Sequence, residues 1–142
     1  MATKHFLGLE APLSPNETTV DTIGRVEHED GHTYIAVWRV NPNANYPTKP
    51  TVWATGLTTV TACAFDHSGQ FWAAEMFAPN PTGTPGDLVR IPFHRPVRQT
   101  HLGLGAIPLP GGIAVAPSGD LFVTVNSAAP GPAGRVDRVH VN

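Results

Sequence analysis

Three groups of residues have types and spacing that could support chemistry. His28-Glu29-Asp30-Gly31-His32 has the H-E-x-x-H spacing of zinc proteases. That chemistry needs a helix, which sets both imidazoles on one face at i and i+4 and leaves the Glu as general base. Here Asp30-Gly31 falls between two strand-like runs, Thr22 to Glu27 and Thr33 to Val40, and Asp-Gly in that setting turns a hairpin. A zincin site at His28 and His32 is therefore disfavoured, and the two form at most a surface pair open to adventitious metal. Asp66-His67-Ser68 holds the three residue types of a hydrolase triad, but three adjacent residues cannot build its hydrogen-bond chain. Cys63 is the single cysteine and sits in the apolar run Ala62-Cys63-Ala64-Phe65, which reads as core, not as a nucleophile. No catalytic residue is assigned.

The elements that would position such groups are short strands. Gly (14) and Pro (15) are frequent among the 142 residues, while charged residues reach only 14%. That balance suits a loop-rich folded chain better than helical bundles or disordered tails. The run Ala62-Cys63-Ala64-Phe65-Asp66-His67-Ser68-Gly69-Gln70-Phe71-Trp72-Ala73 recurs, 50 positions on, as Gly112-Ile113-Ala114-Val115-Ala116-Pro117-Ser118-Gly119-Asp120-Leu121-Phe122-Val123. Each copy is an apolar strand, a turn ending in Ser-Gly and an aromatic-containing strand, which predicts a hairpin. A strand with an apolar-x-Arg-apolar pattern also recurs, as Val37-Trp38-Arg39-Val40, Leu88-Val89-Arg90-Ile91 and Val136-Asp137-Arg138-Val139. With Thr51 to Thr55 and Gln99 to Leu102, this gives about four strands per period of roughly 50 residues, the spacing of propeller blades. The expected fold is all-β: four-stranded antiparallel β-propeller blades, about two and a half repeats, forming a partial propeller. A sandwich built from a duplicated hairpin pair is the alternative.

Charge and hydropathy exclude other classes. A net charge of −2 with no basic stripe offers nothing to neutralise phosphates, so no nucleic-acid partner is expected. No apolar run is long enough for a membrane span, and the first residues lack the apolar core of a signal peptide. Asn16-Glu17-Thr18 is a formal glycosylation sequon, and the seven His residues show no paired recurrence. Trp38, Trp53 and Trp72 fall on predicted strands, where packing between blades is expected of them.

The stretch Val37-Trp38-Arg39-Val40, Pro50 to Leu57, Ala64-Phe65 and Ser68-Gly69 resembles the C-terminal part of the ScyD/ScyE family. So does Leu109-Pro110-Gly111-Gly112-Ile113-Ala114-Val115-Ala116-Pro117-Ser118-Gly119 with Leu121 to Asn126. These proteins are similar to NHL-type and gluconolactonase-like six-bladed propellers. The resemblance covers about residues 35 to 142 and implies an exported, periplasmic or extracellular, location. Family members are longer, so it also implies a fragment or an assembly whose open blade edges self-associate. It places Gly56 to Thr61, Glu75 to Gly86, Gly103 to Gly111 and Asn126 to Gly134 on the functional loop face, with the turns at Asp66–Gly69 and Ala116–Asp120 on the opposite one. It further implies that Glu75 and Asn126, at strand ends near the channel mouth, contact a ligand or a divalent cation such as Ca2+.

These readings divide the chain into a poorly ordered segment (1–20), a partial blade with an N-terminal hairpin (21–57) and two blades (58–102 and 103–142). The expected function is a ScyD/ScyE-type module that binds a small molecule or a protein partner on its loop face. A metal-dependent lactonase-like hydrolase or secondary-metabolite enzyme is one alternative, and a truncated chain without independent activity is another.

Overall fold

A computed structural model describes residues 6–10, 20–27, 33–40, 49–77 and 85–141. The described residues form eleven strands and no helix, so none is long and apolar enough to cross a membrane. All pairings are antiparallel between chain neighbours, giving sheets of four, four and three strands. The protein is all-β, and it divides into two compact units, Met1–Leu57 and Thr58–Asn142.

The first unit is one sheet, β1 (Phe6–Glu10), β2 (Val20–Glu27), β3 (Thr33–Val40) and β4 (Thr51–Leu57), paired in that order. β2 and β3 keep an unbroken register from Val20 opposite Val40 to Glu27 opposite Thr33, as a hairpin requires. His28 and His32 lie between them, outside the described residues. β4 pairs with β3 across register shifts between Ile35 and Trp38. Ala36, Val37, Ala54 and Leu57 are buried, and the Arg39 guanidinium lies 5.5 Å from the Trp53 ring centroid.

The second unit holds two sheets. β5 (Val60–Phe65), β6 (Gln70–Glu75), β7 (Gly86–Pro92) and β8 (Thr100–Ile107) form one. β9 (Ile113–Val115), β10 (Leu121–Val125) and β11 (Arg135–Val139) form the other. Trp72, Ala74 and Leu88 of the first sheet share one core with Leu121, Val123 and Val125 of the second. The first strands of the two sheets, β5 and β9, also lie close together. β6 is buried on both faces, so it is apolar without alternation. β10 alternates strictly, with Leu121, Val123 and Val125 inside and Phe122 and Thr124 outside. Cys63 is half-buried on β5, as is every residue of that strand, so it is not the fully buried core residue its apolar flanks suggest.

The two hairpin turns are held by polar side chains. Asp66 accepts hydrogen bonds on Oδ1 from Ser68 N (2.9 Å), Ser68 Oγ (2.7 Å) and Gln70 N (2.9 Å), and on Oδ2 from Trp72 Nε1 (2.9 Å). Burial pushes this carboxyl up, but the bonds from Ser68, Trp72 and Gln70 outweigh burial and hold it below its ordinary value. Gly69 and Gly119 take φ of +75° and +89° in the two turns, the left-handed region glycine enters without a Cβ penalty. Beyond the second turn, Asp120 accepts from Arg138 Nε (3.0 Å) and Nη2 (2.5 Å), Ser118 Oγ (2.8 Å) and His140 Nδ1 (2.9 Å).

Two predictions follow the packing and this ion pair. Leu121→Ala should cost about 2–5 kcal/mol, because it opens a cavity between the sheets. Phe122→Ala, on the outward face, should cost under about 1 kcal/mol; urea denaturation of both variants checks the contrast. Asp120 is held down to about 2 from an ordinary 3.8, first by Arg138 and then by Ser118 and His140. A carboxyl depressed by folding stabilises above its unfolded pKa and loses that contribution as pH falls through its folded one. Asp120→Asn should therefore lower Tm at pH 7, and the deficit should shrink from about pH 4 towards pH 2; a constant deficit across that range contradicts the ion pair.

Candidate functional site

The end of the second unit away from the two turns gathers three segments, residues 58–61, 76–77 and 108–112, with the loop after β10. Met76 N donates to Thr59 O (2.8 Å), and Thr61 Oγ1 donates to Pro110 O (2.9 Å). Asn126 N donates to Pro108 O (2.7 Å), and Ser127 Oγ donates to Leu109 O (2.8 Å). Gly86 starts β7 against the backbone of Glu75 and Met76. A Cβ there would collide with the Glu75 carbonyl oxygen and come within 2.7 Å of Pro110 Cδ. The glycine thus lets β7 begin where Asp87 falls opposite Glu75.

That register creates an unusual pair. Glu75 ends β6 and Asp87 is the second residue of β7, and both carboxylates are fully buried. Glu75 Oε1 accepts from Thr58 N (2.5 Å). Asp87 Oδ2 accepts from His101 Nδ1 (2.6 Å), on β8, whose side chain is 28% exposed. The other oxygens, Glu75 Oε2 and Asp87 Oδ1, receive no hydrogen bond. One ligating atom from each of Glu75, Asp87 and His101 lies within 4.8 Å of the others, a grouping capable of holding a metal ion among the described residues.

The electrostatics follow from burial. Taking the Glu75 carboxyl out of water penalises its charged form, and the Asp87 carboxylate beside it adds repulsion. Against the opposing hydrogen bond from Thr58, the net effect raises Glu75 from 4.5 to about 7. At neutral pH the pair can thus share a proton or accept a cation, the two ways of relieving adjacent buried negative charge.

Asn126 has a different setting. Its φ is +54°, a region Asn tolerates, and its Nδ2 donates to Ala133 O (3.2 Å) across the loop between β10 and β11. Its side chain braces its own loop. The Asp66-His67-Ser68 segment forms one wall of a cleft of about 420 Å³ at the opposite end, with Arg90 and Ser118 also lining it. Ser68 Oγ donates straight to Asp66 with no imidazole between them, and His67 is exposed, so the segment is a turn and not a triad. Asp87 and His101 were not singled out by residue type or spacing. The available signal was an acid placed directly after Gly86 at the head of the buried strand Gly86–Pro92. No protein-family model matches the chain, and no curated protein matches it either.

Glu75 links the site to stability. A carboxyl raised by folding binds a proton in the native state that the unfolded chain has already released, so stability falls as pH rises from about 4.5 to about 7. With a chelator present, the Tm of the native sequence should decline over that interval relative to Glu75→Gln. Parallel Tm profiles for the two proteins would show that Glu75 does not carry the shifted titration.

Proposed function

We propose that the chain contributes blades to a β-propeller of ScyD/ScyE type and binds a small molecule or a protein partner on the loop face that carries Glu75. The observation that carries this reading is a shared register. Cys63 faces Ala73, Ala64 faces Trp72 and Phe65 faces Phe71, while 50 positions on Ile113 faces Val123, Ala114 faces Phe122 and Val115 faces Leu121. The turns follow suit: Asp66 N donates to Gln70 O (2.9 Å), and Ala116 N donates to Asp120 O (2.8 Å). The next strand brings Arg90 opposite Trp72 and Arg138 opposite Phe122. Two sheets of one design, packed face to face with their first strands adjacent, are what successive blades require.

A second reading, a metal-dependent lactonase-like hydrolase, is favoured by the Glu75 carboxyl alone. Raised to about 7 beside Asp87 and His101, it matches a general acid or base working near neutral pH.

Amide NMR spectra titrated with a panel of small lactones, sugar acids and indole derivatives test both readings. Loop-face binding should shift amides at 58–61, 76–77, 108–112 and 126–134. Shifts confined to the turns at 66–69 and 116–119 contradict that face. Lactone opening in the same samples, lost in Glu75→Gln, would select the hydrolase.

A further inference from the structure

We propose that Glu75, Asp87 and His101 form a binding site for a divalent transition-metal ion of the Zn2+ class. Three observations meet there. Two carboxylates are entirely buried side by side, one oxygen of each, Glu75 Oε2 and Asp87 Oδ1, has no hydrogen-bond donor, and an imidazole nitrogen lies 2.6 Å from Asp87. Buried polar atoms without partners are uncommon, because each loses its water and gains nothing in return. A proton shared between the two carboxyls relieves them in one way, and a dication taking that proton's place relieves them in another.

The geometry allows the ion with small movements. The ligating atoms lie within 4.8 Å of one another. Zn–O and Zn–N bonds of about 2.0–2.2 Å in a tetrahedron put neighbouring ligand atoms roughly 3.5 Å apart. The Asp87–His101 contact of 2.6 Å needs to open by under about 1 Å. The remaining bonds already fix the ligands. Thr58 N holds Glu75 through Oε1, leaving Oε2 free, and the pairing of β6 with β7 locks the carboxylates together. Of the three ligands, the His101 side chain is the one that reaches solvent, at 28% exposure.

The donor set selects the metal class. Ca2+ and Mg2+ take six or more oxygens, and an imidazole is a poor choice for either. One imidazole and two carboxylates with no thiolate suit Zn2+, Mn2+ or Co2+. All three ligands come from adjacent strands of one sheet, unlike the Glu75 and Asn126 pair implied by resemblance. Framework requirements do not account for the acids. At the corresponding end of the other sheet, β10 and β11 pair Val125 with Arg135 in an unbroken register. The inference does not depend on the propeller reading, and it uses the cluster that the hydrolase reading also invokes, with Glu75 as a metal ligand where that reading makes it an acid or base.

Isothermal titration of chelator-treated, dialysed full chain with ZnCl2, and separately with CaCl2, tests it. One Zn2+ per chain is expected with a Kd in the micromolar range or tighter, no comparable Ca2+ binding, and a higher Tm with Zn2+. Glu75→Gln and His101→Ala should each weaken Zn2+ binding at least tenfold. His101 is partly exposed, so its variant should keep the native circular dichroism and report on the site even where a core carboxylate variant unfolds. Co2+ added to the native chain should give the visible absorption of a four- or five-coordinate ion, diminished in His101→Ala. Absence of Zn2+ binding, or Zn2+ binding unchanged in a folded His101→Ala, overturns the proposal, since the chain's other imidazoles would then be the binders.

Discussion

Trp72 is buried completely, yet its indole N–H reaches the Asp66 carboxylate at 2.9 Å. One residue thereby joins three parts of the second unit. Its ring fills the layer shared with Leu121, Val123 and Val125, its N–H closes the first hairpin turn, and its face receives the Arg90 guanidinium at 5.8 Å. Large aromatic burial supplies much of the driving force for packing two sheets, and a buried indole needs a partner for its polar edge. Asp66 provides that partner while collecting three other donors, which is why the turn residues next to it are fixed. Trp72 and Asp66 place β6 in depth and in register. The position of Glu75, three residues further along β6, follows from them.

The ends of β6 and β7 are consequently rigid where they bring two carboxylates together. Such a pair is costly in a sheet that could hold apolar residues there, since each ion loses its hydration and repels the other. The cost is partly offset by Thr58 N–H on one acid and His101 on the other. At Glu75 Oε2 and Asp87 Oδ1, which no neighbouring group reaches, only a shared proton or a cation can offset it. The contrast with Asp66 and Asp120 is instructive. Those carboxylates accept several donors each and are driven below their ordinary values, as expected of groups that hold turns and strands together. Glu75 is driven the other way.

The sequence carried the β architecture in its punctuation. Ser68-Gly69 and Ser118-Gly119 mark turns whose glycines do adopt positive φ, and the strands between follow the apolar runs. Asp30-Gly31 pointed to the pairing of Val20–Glu27 with Thr33–Val40, although His28 and His32 themselves lie outside the described residues. The Glu75 end of β6 stood out only through its similarity to strand ends in a known family. Its partners did not stand out, for a physical reason. Asp87 lies 12 positions from Glu75 and His101 a further 14, and their proximity depends on β7 and β8 pairing in one register, with a shift between Gly86 and Leu88. Periodicity reports which face of a strand is buried. It does not report which residue of the next strand lies opposite when a bulge intervenes.

That distinction bears on how the two sheets divide their labour. Positions shared between them are framework: Gly69 and Gly119 at the turns, Phe71 and Leu121 in the core, Arg90 and Arg138 opposite aromatic side chains. Positions that differ are free of that constraint. The pair Glu75–Asp87 has Val125–Arg135 as its counterpart, an apolar residue beside an exposed cation that folding tolerates without difficulty. A sheet of this design therefore does not require buried acids at its open end. Keeping them there, beside an imidazole, sets a raised carboxyl in one sheet alone. Buried carboxyls perturbed in this way, beside an imidazole, mark places where a protein holds groups for a ligand instead of for itself.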